Sequence, residues 1–300
     1  MNTAHARKWI TLALVAGFAI FSTGCAKLKS RDQMNQGVQA YRDAHYAEAA
    51  DHFKQAVQLD PNNKNALEYL ATSYFTQWVP GAESADNKRH LEQAQQTFNE
   101  VLQKYPDDSL ALATMAAMAF NIAAAKPNDQ EKAAAMEDAR KWNERRIQAD
   151  PKDAEAYYYL GVIDWTQADA AVRSARVQER KDAANAAAKE ALRKRRRGAA
   201  PLVPAENTGP IKDPKVRADL KDKYGKKIDE GIADLHKALD IDNENEDAMS
   251  YLSLLLRTKA AIEDTPEAAQ ADIAQANKWF DKSLATKRMK AARPKKNQQT

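Results

Sequence analysis

Three prolines, Pro61, Pro106 and Pro151, stand 45 residues apart, and each closes an amphipathic stretch. Proline has no backbone N–H and cannot continue a helix beyond its first turn, so each marks a helix end. A fixed period of this length is the mark of a repeat architecture. No single unit can bury its apolar face alone, but stacked units share a continuous core. That periodicity constrains the chain more than any single motif in it.

Composition fixes the type of unit. Alanine recurs throughout, only 9 Gly and 11 Pro occur in 300 residues, and Val/Ile/Thr runs of strand type are absent. Alanine loses no side-chain entropy in a helix, whereas β-branched residues do. The expected fold class is all-α.

The residues inside the period are specific. The first unit reads Gly37, Tyr41, Ala49, Phe53, Ala56 and Pro61; the second reads Leu67, Leu70, Ala71 and Tyr74, then Ala94, Phe98, Val101 and Pro106. The third opens at Leu112, Met115 and Ala116 and closes through Ala139 and Trp142 to Asp150-Pro151, with Asn143 and Arg146 at apolar places. The fourth opens at Tyr157, Leu160 and Gly161, closes through Gly231–Ala238, and has Asn243 in place of proline. A fifth uses Met249 and Leu252, then Trp279 and Phe280. This pattern resembles the tetratricopeptide repeat, a pair of antiparallel helices with small residues where the two touch. The resemblance covers about 31–165 and 225–285, and it implies a helical-hairpin solenoid of about 9–11 helices.

The first 24 residues read as a signal peptide. Arg7 and Lys8 precede an apolar run, Trp9–Phe21, that is too short to span a bilayer, which takes roughly 20 residues. Thr23-Gly24-Cys25 resembles a bacterial lipobox, with Ser22 where leucine is usual. Cys25, the sole cysteine, would then be lipidated and become the new N-terminus. The alternative is ordinary cleavage after Ala26. By resemblance, Ala26 after the cysteine favours the outer over the inner membrane, so a periplasm-facing lipoprotein is expected.

The expected organisation follows. Residues 25–165 hold units one to three and the first helix of unit four. Residues 166–224 are an inserted Ala-rich basic helix, continuing the one begun at 154, and a Pro-rich loop. Residues 225–289 hold the second helix of unit four, unit five and a capping helix. Residues 290–300 form a basic disordered tail.

The net charge of +4 is unevenly distributed. Residues 173–197 hold ten Lys/Arg against three Asp/Glu, and residues 287–300 hold six against none. Without these and the signal, the body carries a net −11. Arg193, Lys194, Arg195, Arg196 and Arg197 are therefore candidates for binding anionic lipid or an anionic envelope polymer; the alternative is a solvated face. Export argues against nucleic acid as a partner.

No metal-ligand, nucleotide-loop or nucleophile motif occurs, so neither an enzyme, a cofactor nor a metal is expected. His45 and His52 lack a third ligand. Asp164 shares a helical face with Tyr157, Leu160 and Gly161, and a buried carboxylate needs a partner. Arg145 or Arg146 is the expected one.

In the tetratricopeptide family the first helices line a concave groove that binds protein partners. The positions corresponding to that groove hold Tyr41, Phe75, Phe120, Tyr158 and Trp165, which suit an apolar or extended peptide. The alternative is that these rings fill the core. Met34 and Val38 stand where the family's carboxylate clamp has polar side chains, which rules out that mode. The expected function is a protein-binding scaffold or adaptor in envelope, secretion or pilus assembly.

Overall fold

The computed structural model describes residues 25–195 and 209–293. The expected signal peptide, Arg196 and Arg197, most of the Pro-rich loop and the last seven residues lie outside the described residues. Among the described residues the chain is all-α, with ten helices and no strand. They are α1 (25–42), α2 (Tyr46–Leu59), α3 (Lys64–Gln77), α4 (Ala85–Lys104), α5 (Ser109–Ala124), α6 (Asp129–Ala149), α7 (Ala154–Arg195), α8 (Pro214–Ile241), α9 (Glu246–Ile262) and α10 (Pro266–Ala292). None of them is long and apolar enough to cross a membrane. The helices form two compact units that divide at Met115 and Ala116, within α5.

The sequence period becomes one turn used four times. Asp60, Tyr105, Asp150 and Asp242 each donate a last backbone N–H four residues back, closing α2, α4, α6 and α8. Three residues on, Asn63, Asp108, Asp153 or Asn245 donates its own N–H to that cap residue's carbonyl. The side chain of the same residue accepts from Ala66, Ala111, Ala156 or Ala248 N, starting the next helix. One short Asx residue thus satisfies backbone groups on both sides of the turn. Proline suits the position after the cap because it needs no hydrogen-bond acceptor there. Asn243 occupies the same place without it.

In the first unit, α1 meets α2 where Gly37 lies under Phe53. A Cβ on Gly37 would sit 2.6 Å from the ring, so no side chain fits. Ala49, Phe53 and Ala56 are fully buried, and Phe53 stacks on Tyr69 at 5.2 Å. The α1–α2 turn has the hydrogen bonds Ala44 N to Tyr41 O and His45 N to Ala40 O, with Ala44 at φ 60°. That left-handed position normally takes glycine. The extra residues of the second repeat mostly lengthen α4. The remaining loop is held by Asn87, which accepts from Val79 N and donates to Val79 O and Ala82 O.

In the second unit, α7 and α8 approach as α1 and α2 do. A Cβ on Gly161 would lie 2.4 Å from Leu235 Cγ, and one on Gly231 would lie 2.8 Å from Asp164 Cβ. The main core runs through Ala168 and Val172 of α7, Ile228, Leu235 and Ala238 of α8, Leu252 and Leu255 of α9, and Ala276 of α10. Ile211, in the stretch read as loop, is fully buried in this core, and its N–H donates to Ala261 O at 2.8 Å. Asn143 and Arg146 of the degenerate repeat are buried as a polar plug. Arg146 bonds Asp153 at 2.9 and 3.1 Å and Glu155 at 2.7 Å, and Asn143 donates to Ala139 O.

One expectation needs correction. Asp164 pairs with Arg140, one and a half turns earlier on α6 than the arginines expected, because Arg146 is already taken by Asp153 and Glu155. Helix α10 runs unbroken to Ala292, with Lys290 paired to Glu246 and Arg293 to Glu244.

Candidate functional site

Five aromatic rings form a continuous line in the second unit. Phe120 of α5 meets Tyr159 of α7 at 5.4 Å, and Tyr159 meets Tyr158 at 5.1 Å. Tyr158 meets Tyr251 of α9 at 5.7 Å, and Tyr251 meets Trp165 at 5.3 Å. The pairs are tilted or edge-to-face, the favoured arrangement for aromatic quadrupoles, worth about 0.5–1.5 kcal/mol each. All five rings are half-buried. Tyr158, Trp165 and Tyr251 also pack on the main core, so the same side chains serve core and surface.

Three of the five ring positions named from the sequence therefore come together: Phe120, Tyr158 and Trp165. Tyr41 and Phe75 belong to the first unit. There Tyr41 bonds Thr76 through its hydroxyl at 2.9 Å and packs on Tyr46, while Phe75 packs on Trp78. Sequence reasoning missed Tyr159 and Tyr251. Neither lies on the helical phase of the other rings; they are linked only because α5, α7 and α9 pack side by side.

Burial raises the hydroxyl pKa of Tyr158, Tyr159 and Tyr251, so all three are neutral donors at physiological pH. Trp165 Nε1 is buried and has no hydrogen-bond partner. An indole N–H left this way costs about 1–3 kcal/mol. One helical turn beyond Trp165, a groove of about 310 Å³ opens between α7, α9 and the start of α10. Val172, Leu254, Ala261 and Ile273 give it apolar walls, with Asp169, Arg176 and Arg257 at its edges. The surface has rings that can hold apolar side chains of an extended segment.

Behind the rings lies a buried polar cluster. Arg140 pairs with Asp164, and Glu137 accepts from Gln167 Nε2 and Lys227 Nζ, both at 2.8 Å. Burial raises the Asp164 carboxyl to about 6 against the pull of Arg140. Asp234 is raised to about 7, by burial and then by the Asp164 charge. These groups are packed between helices, which suits a structural role.

Cys25 is exposed at the start of α1. Arg193, Lys194 and Arg195 form the end of α7. Among the described residues no group of three or more His, Cys, Asp or Glu could hold a metal ion.

No protein-family model and no curated protein matches the chain. Solved structures do. A double mutant of MamA from strain RS-1 is 16% identical, with a TM-score of 0.50, over 88% of this chain and 98% of that one. MamA from residue 41 onward, from Desulfovibrio magneticus RS-1, matches over the same shares at 16% identity and a TM-score of 0.49. TTC0263, a thermophilic TPR protein of Thermus thermophilus, is 18% identical with a TM-score of 0.35, over 76% of this chain and 99% of that one. With its small-residue helix crossings and its fourfold cap-to-cap turn, the chain has the all-α, helical-hairpin solenoid fold of tetratricopeptide-repeat proteins.

Proposed function

We propose that this protein is an adaptor, lipid-anchored through Cys25 and facing the periplasm from the outer membrane, that binds protein partners in envelope, secretion or pilus assembly. The observation behind the binding role is the line of five half-buried rings. An extended segment laid along α7 and α9 would place apolar side chains against Tyr158 and Tyr251. Aromatic residues at such positions supply most of the binding energy in many interfaces. The anchor rests on the signal-like N-terminus and on an exposed Cys25 at the start of α1.

A photoreactive residue at Leu254, which lines the groove and is partly exposed, tests the binding role. Crosslinking in the intact envelope should capture one or a few proteins, and Tyr158→Ala should remove those bands. Capture unchanged by Tyr158→Ala, or no capture, overturns it. Mass spectrometry of the mature N-terminus tests the anchor: a diacylglyceryl group on Cys25 supports it, and an unmodified cleaved terminus overturns it.

A further inference from the structure

The two basic segments of the chain differ in structure. On α10 the charge is partly neutralised in place, since Lys290 and Arg293 are paired with Glu246 and Glu244. On α7 it is carried outward. On α7, Arg176 bonds Gly209 O and Glu179 accepts from Lys212 N. Beyond them the helix runs from 180 to 195, roughly 24 Å at 1.5 Å per residue. From 180 to 190 every residue is exposed except the half-buried Ala183 and Ala187.

This arm bears Arg180, Lys181, Lys189, Arg193, Lys194 and Arg195 against Asp182 and Glu190. Three of its cations, Arg193, Lys194 and Arg195, fall in the last turn of α7. Beside its base, residues 215–227 of α8 hold six Lys/Arg, of which Lys221, Lys226 and Lys227 are paired with Asp264, Glu230 and Glu137. The only apolar side chains on the arm are alanines and Leu192, too little to insert into a bilayer.

We propose that this arm is an electrostatic contact for an anionic phospholipid surface. Each Lys or Arg held near such a surface contributes about 1 kcal/mol, falling off within a Debye length. The body outside the two basic segments and the signal carries a net −11 and is repelled by the same surface, so a basic segment is the part that approaches, and the α10 segment is partly neutralised in place. The choice of lipid over other polyanions rests on the export reading, which sets the mature chain beside a membrane and away from nucleic acid. Contact through the arm would hold the second unit against the surface without any acyl chain.

The test uses the mature chain from residue 25 with Cys25→Ser, so no lipid anchor contributes and the result is independent of lipidation. Sedimentation with vesicles of phosphatidylethanolamine and phosphatidylglycerol should retain the protein, and pure phosphatidylcholine should not. Retention should vanish when salt rises from about 0.05 to 0.5 M. Neutralising the arm (R180Q, K181Q, K189Q, R193Q, K194Q, R195Q) should weaken retention at least about tenfold. The tail variant (K287Q, R288Q, K295Q, K296Q) should weaken retention less than the arm variant does. A matched circular-dichroism melt shows that the arm variant still folds. Equal retention on both vesicle types, or an arm variant that binds like the parent, overturns the proposal. So does arm-dependent binding to heparin or an acidic protein without vesicle binding, which would reassign the arm to that partner.

Discussion

Arg140 of α6 is ion-paired with Asp164 of α7, a carboxylate with no exposed surface whose second oxygen has no partner. The pair joins two repeats through the core rather than over the surface. Removing one partner of a buried pair costs about 3–5 kcal/mol, because the other charge is left behind. Arg140→Met is therefore expected to destabilise the second unit by about that much, measured by urea unfolding at neutral pH. Adding Asp164→Asn should recover much of the loss; a double variant no more stable than the single would show that the pair is not what couples α6 to α7.

The acids behind the ring line predict a pH dependence. An unfolded aspartate titrates near 3.8, whereas Asp164 titrates at about 6 and Asp234 at about 7 in the fold. The folded chain holds these protons more tightly, so the stability they contribute is greatest below the unfolded value. It is lost as pH rises through the folded values. Melting temperature should fall between about pH 5 and pH 8, and Asp234→Asn should flatten that fall. A slope unaltered by the substitution would remove Asp234 as its source.

Two glycines in adjoining helices should respond with opposite sign. Gly161→Ala puts a methyl 2.4 Å from Leu235 Cγ at the α7–α8 crossing, and overpacking of this kind costs about 1–3 kcal/mol. Gly225→Ala meets only Lys221 Cγ, at 3.6 Å. There the helix propensity of alanine should prevail, stabilising by about 0.5–1 kcal/mol. Denaturant midpoints of the two variants check both signs at once.

Ala44 holds a left-handed conformation at the end of α1, with both hydrogen bonds of the glycine-type helix stop around it. Ala44→Gly is expected to relieve about 1 kcal/mol of backbone strain. A rise in the unfolding midpoint of the first unit, followed by hydrogen exchange across α1 and α2, is the corresponding observation.

Much of the fold was legible because it is local and periodic. Proline, Asx and small residues at fixed spacing determine where each helix stops, how the next begins and which faces touch. Asp60 and Asn63, or Asp150 and Asp153, do this within four residues of chain. The continuation of the helix at 154 into a 42-residue α7 was legible for the same reason: nothing between Ala154 and Arg195 breaks it. The ring line was only half legible. Helical phase groups Tyr158 with Trp165, but Tyr251 joins them across a separation of more than 80 residues, through the packing of α9 on α7.

The sequence by itself determined the class of element, the repeat and its turns, since those follow from backbone propensity and hydrogen bonding over a few residues. Tertiary structure decided the rest. It chose Arg140 over Arg146 as the partner of Asp164, because Arg146 is consumed at its own repeat boundary. It drew Ile211 out of a proline-rich stretch into the core, where a buried apolar side chain and one backbone hydrogen bond outweigh the local preference for loop. It paired Lys290 and Arg293 at the end of α10 with Glu246 and Glu244. Each of these outcomes depends on which side chains arrive within a few ångströms of one another from distant parts of the chain, and no local pattern records that.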